Sequence, residues 1–134
     1  MNASMNIVKH LTLIIAGLLF APSLMAVELI SQQALAQRIA NGDTPIIIDV
    51  RSEREFQAGH IPGAVLLPHD QIDQHLDLLA SLADREVVLY CQSNRRVGLV
   101  LDRFLDSDAS EVRVLEGAWP GWQARGQIAL REVE

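Results

Sequence analysis

Lysine is nearly absent from this chain of 134 residues: Lys9 is the single one, and every other strongly basic side chain is arginine. Cysteine is equally scarce, with Cys91 alone, which excludes an intramolecular disulfide framework. No apolar run is long enough to span a bilayer. The longest candidate, Leu11 to Phe20, falls short of the ~20 residues a spanning helix needs, and Pro22 interrupts its continuation. Internal repeats, low-complexity tracts and linker-like stretches are also missing. What remains is a length suited to one domain, with 49% apolar residues to form its core.

The N-terminal segment MNASMNIVKHLTLIIAGLLFAPSLMA has a weakly basic start (Lys9, His10), a short apolar run, then Pro22-Ser23 and a small residue, Ala26. That is the anatomy of a cleavable secretory signal peptide. Residues 1–26 are therefore expected to be removed after Ala26, leaving a mature domain of residues 27–134 in the periplasm. The alternative is an uncleaved anchor, against which the run's length and Pro22 both count. No cysteine near the cleavage region suggests a lipoprotein. Without Lys9, the eleven Lys and Arg become ten arginines against seventeen Asp and Glu, a formal charge of −7. Nucleic acid and, after cleavage, a membrane surface are excluded as expected partners on that charge.

Along the mature chain, strand and helix signals alternate. A short extended piece precedes Ser31, which caps an expected helix to Ala40, closed by Asn41-Gly42. PIIIDV is a buried strand ending at Asp49, and a short helix from Glu53 to Ala58 stops at Gly59. A short strand from Ala64 to Leu67 follows the Pro62-Gly63 turn. Ile72, Leu76, Leu79 and Leu82 then recur at helical spacing. EVVLY is the next buried strand, Val97 to Asp106 the next helix, and Glu111 to Leu115 a further strand, before a final short helix in AWPGWQARGQIAL. This alternation calls for an α/β fold with a mostly parallel central sheet flanked by helices on both faces. Ligands bind beyond the carboxyl ends of the strands in such sheets, and Asp49 and Cys91 both lie there.

An unpaired cysteine in an exported protein points to intermolecular pairing or a reactive thiol. Its position at a strand end facing a polar loop argues against an inert, buried cysteine. The loop Gln92, Ser93, Asn94, Arg95, Arg96 enters a helix, so its peptide N–H groups, the helix dipole and two guanidinium groups all favour a negative sulfur or an incoming oxyanion. Such surroundings commonly lower a thiol from ~8.5 to between about 3.5 and 7.5. Cations at the positive end of a helix dipole are locally unfavourable, so two together read as functional.

IIIDVRSEREFQAGHIPGAVLLP resembles the first signature of the rhodanese family, with its Asp-Val-Arg, Glu-Phe and Gly-His-Ile-Pro-Gly-Ala elements. YCQSNRR sits where that family carries its active-site loop, and LEGAWPGWQARG is similar to its closing Gly-Gly-x-x-x-Trp-x-x-x-Gly motif. The nearest general likeness is to small, exported, single-domain rhodaneses of the phage-shock type. The resemblance implies a thiosulfate sulfurtransferase with Cys91 as its catalytic residue. That cysteine takes the outer sulfur of thiosulfate as a persulfide and passes it to cyanide or another thiophilic acceptor, with a protein sulfur acceptor as a further option. The substrate-binding residues would be Gln92, Ser93, Asn94, Arg95 and Arg96. Neither cofactor nor metal is implied. Cys91 through Arg96 makes six residues, whereas similar phosphatase and arsenate-reducing domains carry a loop one residue longer.

Two positions depart from the family pattern. Asn94 stands where glycine is common, and asparagine tolerates positive φ. Val97 replaces a serine or threonine whose hydroxyl could hold persulfide or substrate. Asp49, Arg51 and His60 match motif positions that are mostly structural, and Trp119 and Trp122 are expected to close the sheet edge. His69 and His75 lack a cysteine partner nearby for a metal site. The alternative to an enzyme is a sulfur-carrier or protein-binding module that uses the same cysteine without turnover.

Overall fold

The computed structural model describes residues 27–127; the expected signal segment and residues 128–134 lie outside the described residues. Five parallel strands form one sheet: β1 (Glu28–Ile30), β2 (Ile46–Asp49), β3 (Val65–Leu66), β4 (Glu86–Tyr90) and β5 (Glu111–Leu115). Their spatial order is β1-β5-β4-β2-β3, with Leu29 opposite Val114, Val88 opposite Arg113, and Ile48 opposite both Leu89 and Val65. Every pairing is parallel, so each strand pair must be joined by a crossover that covers a face of the sheet.

The period of two along the strands splits the core into two clusters. Ile48, Val87, Leu89 and Val114 face one side, where they meet Val97, Val100 and Phe104 of α4 (Arg95–Leu105) and Ile72 and Leu82. Ile47, Val88 and Tyr90 face the other side, against Leu35 and Ala36 of α1 (Gln32–Ala40), with Trp119 and Trp122. Helices therefore cover both faces, as the alternation of elements implies.

Local signals account for most boundaries. The Ser31 side chain accepts from the Ala34 N–H at 3.1 Å, and α1 ends at Ala40. α2 (Glu53–Ala58) carries a capping box at its start: Ser52 accepts from the Glu55 N–H while Glu55 accepts from the Ser52 N–H. β3 is shorter than its expected span. The region expected as one helix around Ile72 to Leu82 is instead a 3₁₀ turn (Ile72–Gln74) followed by the short α3 (Leu76–Ala80). His75 separates them with φ −129° and ψ 42°, outside helical geometry. Spacing marked the buried Ile72 and Leu82 correctly, but Leu76 is exposed, so no continuous apolar stripe holds the segment as one helix. The chain then passes through α5 (Ala118–Gly121) into a π-helical turn (Trp122–Gly126) that seats Trp122 in the core.

Candidate active site

β4 ends at Tyr90, and alternation continues one residue further: Tyr90 points to the α1 side, so Cys91 joins the α4 side with Leu89. Cys91 is 0% exposed and belongs to the cluster containing Val50, Val97 and Val100. This corrects the expectation drawn from the polar loop. The sulfur lies beneath the loop, not on it, and Val97 adds an apolar wall in the same cluster.

The backbone around the cysteine is held at both of its polar atoms. The Cys91 N–H donates to Asn94 Oδ1 at 3.2 Å, and the Trp119 N–H donates to the Cys91 carbonyl at 3.0 Å. Asn94 Nδ2 donates in turn to the carbonyl of Leu115, at the end of β5, at 2.7 Å. Asn94 itself sits at φ 60° and ψ 6°, the left-handed conformation expected of it, which asparagine tolerates. Its turn starts α4 at Arg95, two residues earlier than the apolar pattern indicates. Among the described residues, the N–H groups of residues 92–97 donate to no acceptor. A run of unused amides at the start of an eleven-residue helix suits an anion.

The two arginines are not equivalent. Arg95 is exposed and forms no ion pair among the described residues. Arg96 makes a bidentate pair with Glu55, Nη1 to Oε2 at 2.7 Å and Nη2 to Oε1 at 2.8 Å. The Arg96 bonds, against partial burial and with help from Ser52, hold the Glu55 carboxyl far below the usual carboxylate range. The same bonds raise the Arg96 pKa, with the Cys91 sulfur close enough to contribute as well. Glu55 thus joins the cap of α2 to the first turn of α4, a role not assigned to it from the sequence, where it appears only within the Glu-Phe element. Ser52-x-x-Glu55 is the capping-box pattern, a local signal for half of that role. The Arg96 contact spans 41 positions and leaves no local trace.

Asp49 and Arg51 form a buried pair behind the loop, with Nη2 to Oδ2 at 2.7 Å and side chains 0% and 2% exposed. Arg51 Nη2 also donates to the Gly59 carbonyl at 2.7 Å, and its guanidinium lies 4.6 Å from the Trp119 ring centroid. Burial works to lower the Arg51 pKa and is outweighed by Asp49, so the guanidinium is held ionised. Gly59 packs on Trp119 so closely that a Cβ there would lie 3.0 Å from the ring. His60 stacks on Phe56 at 3.7 Å, and its Nδ1 is 2.8 Å from the Phe56 carbonyl oxygen. Asp49, Arg51 and His60 form no hydrogen bond to Cys91 among the described residues; Trp119, which Arg51 and Gly59 pack against, holds the Cys91 carbonyl. Gln92 and Ser93 are exposed at the rim. Among the described residues, no three His, Cys, Asp or Glu side chains form a group able to hold a metal. An apolar groove of about 470 Å³ lies at the opposite end of the sheet, near Pro45, Val65 and Arg85, away from the cysteine.

Comparison with known proteins bears on the family and the fold. The model of the rhodanese-like domain family matches residues 31–125. A sulfurtransferase of Allochromatium vinosum is 29% identical over 97 residues, covering 72% of this chain and 89% of that protein. The uncharacterized protein YqhL of Bacillus subtilis is 34% identical over 76 residues, covering 57% of this chain and 59% of YqhL, so the match leaves part of that relative unspanned. The solved structure of the human single-domain sulfurtransferase TSTD1 superimposes with a TM-score of 0.60 at 25% identity, over 75% of this chain and 98% of that one. With a lone cysteine at the head of an amide-lined loop on a five-stranded parallel sheet, this chain belongs to the rhodanese-like domain family, with a sulfurtransferase or sulfur-carrier role.

Proposed function

We propose that the protein is a thiosulfate sulfurtransferase working through a persulfide on Cys91. The Cys91 thiolate attacks the outer sulfur of thiosulfate, a new S–S bond forms, the old one breaks, and sulfite departs with the electron pair. Cyanide or another thiophilic acceptor then attacks that outer sulfur and restores the thiolate, releasing thiocyanate in the cyanide case. One cysteine suffices for this ping-pong cycle, and the chain has one. The observation that carries the reading is the set of unused N–H groups at residues 92–97, next to Cys91 at the head of α4. They offer donors to the sulfonate oxygens, and Arg95 adds an exposed positive charge in a chain that is otherwise net negative. The six-residue loop from Cys91 to Arg96 is one residue shorter than in similar phosphatase and arsenate-reducing domains, which supports sulfur transfer.

We place the mature protein in the periplasm, because residues 1–26 have the pattern of a cleavable export signal. Its proposed partners are a small sulfur anion and a thiophile, without nucleic acid. Intact-mass measurement on mature protein treated with thiosulfate tests the chemistry: one added sulfur at Cys91 is expected, removed by cyanide. Cys91→Ser should lose both steps while keeping the fold. A wild-type protein that gains no sulfur refutes the reading, and protein recovered in a membrane fraction with Met1 or Met5 still attached refutes the signal cleavage.

A further inference from the structure

We infer that Gln32, the first residue of α1, is a positioning residue for the anion cradle: it heads a relay of two peptide units that aims the Gln92 N–H at a bound oxyanion. Only the kinetic consequences rest on the sulfur-transfer reading. Glutamine is mostly exposed in folded proteins, yet Gln32 is 8% exposed. Its Nε2 donates to the Glu116 carbonyl at 2.7 Å and to the Ala118 carbonyl at 3.0 Å, contacts that span 84 and 86 positions of sequence. Both amide protons are thereby used, and a flipped amide would set Oε1 against two carbonyl oxygens, so the orientation is fixed. The chain leaves room for this group. A Cβ at Gly121 would lie 2.6 Å from Nε2, and one at Gly117 would lie 3.6 Å from it.

The turn that Gln32 grips holds an unfavourable conformation. Gly117 at φ 78° is followed by Ala118 at φ 53°, where an alanine Cβ crowds the neighbouring carbonyl. A planar trans peptide points its C=O and N–H in opposite directions. In the unit joining Ala118 to Trp119, the carbonyl is bound by Gln32 and the N–H donates to the Cys91 carbonyl at 3.0 Å. The unit joining Cys91 to Gln92 repeats the pattern: its carbonyl is fixed by Trp119, which turns the Gln92 N–H the other way, among the unused amides of residues 92–97. Every bond in this series runs in the same sense, from donor to carbonyl to the next N–H. Each therefore polarises the one after it and strengthens the last donor. Without Gln32, Ala118 can relax toward negative φ, which swings the Trp119 N–H off the Cys91 carbonyl and frees the Gln92 amide to rotate.

Two variants of the mature protein break the relay by different routes. Gln32→Met keeps the side chain's length and removes its donors. Gly121→Ala keeps Gln32 but puts a methyl in its seat, at φ −62°, which alanine adopts freely. Leu79→Ala, packed on the other face of the sheet, lowers stability without touching the relay. In proton–nitrogen correlation spectra of the wild type, the Gln92 signal should move on titration with sulfite, and the Trp119 amide should exchange slowly with heavy water. Both relay variants should exchange Trp119 about tenfold or more faster than Leu79→Ala does, and should lose most of the Gln92 response. Where thiosulfate is the substrate, its KM should rise about tenfold in both, with kcat changed by less than about threefold, while Leu79→Ala leaves KM unaltered. Glycine accepts a left-handed turn without strain, so in an Ala118→Gly background Gln32→Met should raise KM several-fold less. A wild-type Gln92 signal indifferent to sulfite overturns the inference, as does a sulfite response and Trp119 protection that survive in the folded relay variants. Failure of the wild type to form a persulfide overturns the sulfur-transfer reading instead, and leaves the relay to be judged by the two amide signals.

Discussion

Asp49→Asn keeps the shape of a side chain that is 0% exposed and removes its charge, leaving the Arg51 guanidinium buried without a counter-ion. Arg51 would retain the Gly59 carbonyl and the faces of Trp119 and Tyr90, at 4.6 Å and 5.5 Å from the two ring centroids. Removing one member of a buried pair costs ~3–5 kcal/mol, and the remaining ring contacts recover part of that, so a loss of about 3 kcal/mol is expected. For a domain of about 100 residues each kcal/mol shifts Tm by ~4–8 °C, which places the variant roughly 15 °C below the wild type. The loss is a large share of a total stability of ~5–15 kcal/mol, yet the variant should stay folded at room temperature. Thermal and urea unfolding followed by circular dichroism measure it. The companion variant Asp49→Leu with Arg51→Met removes both charges and should recover part of the loss, since an apolar pair avoids the desolvation penalty while the Gly59 carbonyl and the backbone N–H of residue 51 lose their partners. An Asp49→Asn protein within about 1 kcal/mol of the wild type would refute the reasoning. So would a double variant less stable than Asp49→Asn alone, because the buried charge would then not be the source of the cost.

The two loop arginines should separate in kinetics. Arg95→Gln is expected to raise KM for thiosulfate more, and with greater loss of salt sensitivity, than Arg96→Gln, because Glu55 already neutralises Arg96; the reverse order in steady-state assays at low ionic strength would contradict it. Burial pushes the Tyr90 phenol well above its ordinary range, so the folded state keeps a proton that the unfolded chain loses above pH ~10. Stability should therefore be intact below pH ~10 and fall above it by up to about 1.4 kcal/mol per pH unit, a slope that Tyr90→Phe removes in urea titrations across that range.

Elements whose boundaries are written in neighbouring residues were legible in the sequence. Ser31 and Asn41-Gly42 bracket α1, Gly59 ends α2, and the continuous apolar runs locate β2 and β4. The left-handed turn at Asn94 was equally legible, because few residue types tolerate it. The segment from Ile72 to Leu82 was not, since spacing reports which side chains are buried and says nothing of a backbone break at His75. Within the site, the cysteine and its loop could be read, but not their restraints. The Asn94 bond to Leu115 and the Trp119 bond to Cys91 join residues far apart in the chain, each ending on a backbone carbonyl that carries no sequence identity. The depth of Cys91 was recoverable in principle by extending the strand's alternation one residue past Tyr90.

The strand order has a consequence for the chain's history. β1 has a single neighbour in the sheet, and that neighbour is β5, with Glu28 in register with Arg113. β1 must wait for β5, so a chain emerging from a ribosome or a translocation pore cannot complete this sheet until Leu115 is out. Contacts so far apart in sequence fold slowly, because loop closure precedes the reward of pairing. The Trp119 N–H that fixes the Cys91 carbonyl arrives later still. A nascent chain would thus expose its thiol without the restraints that shape its reactivity, and chemical competence would come only once β5 and Trp119 have docked.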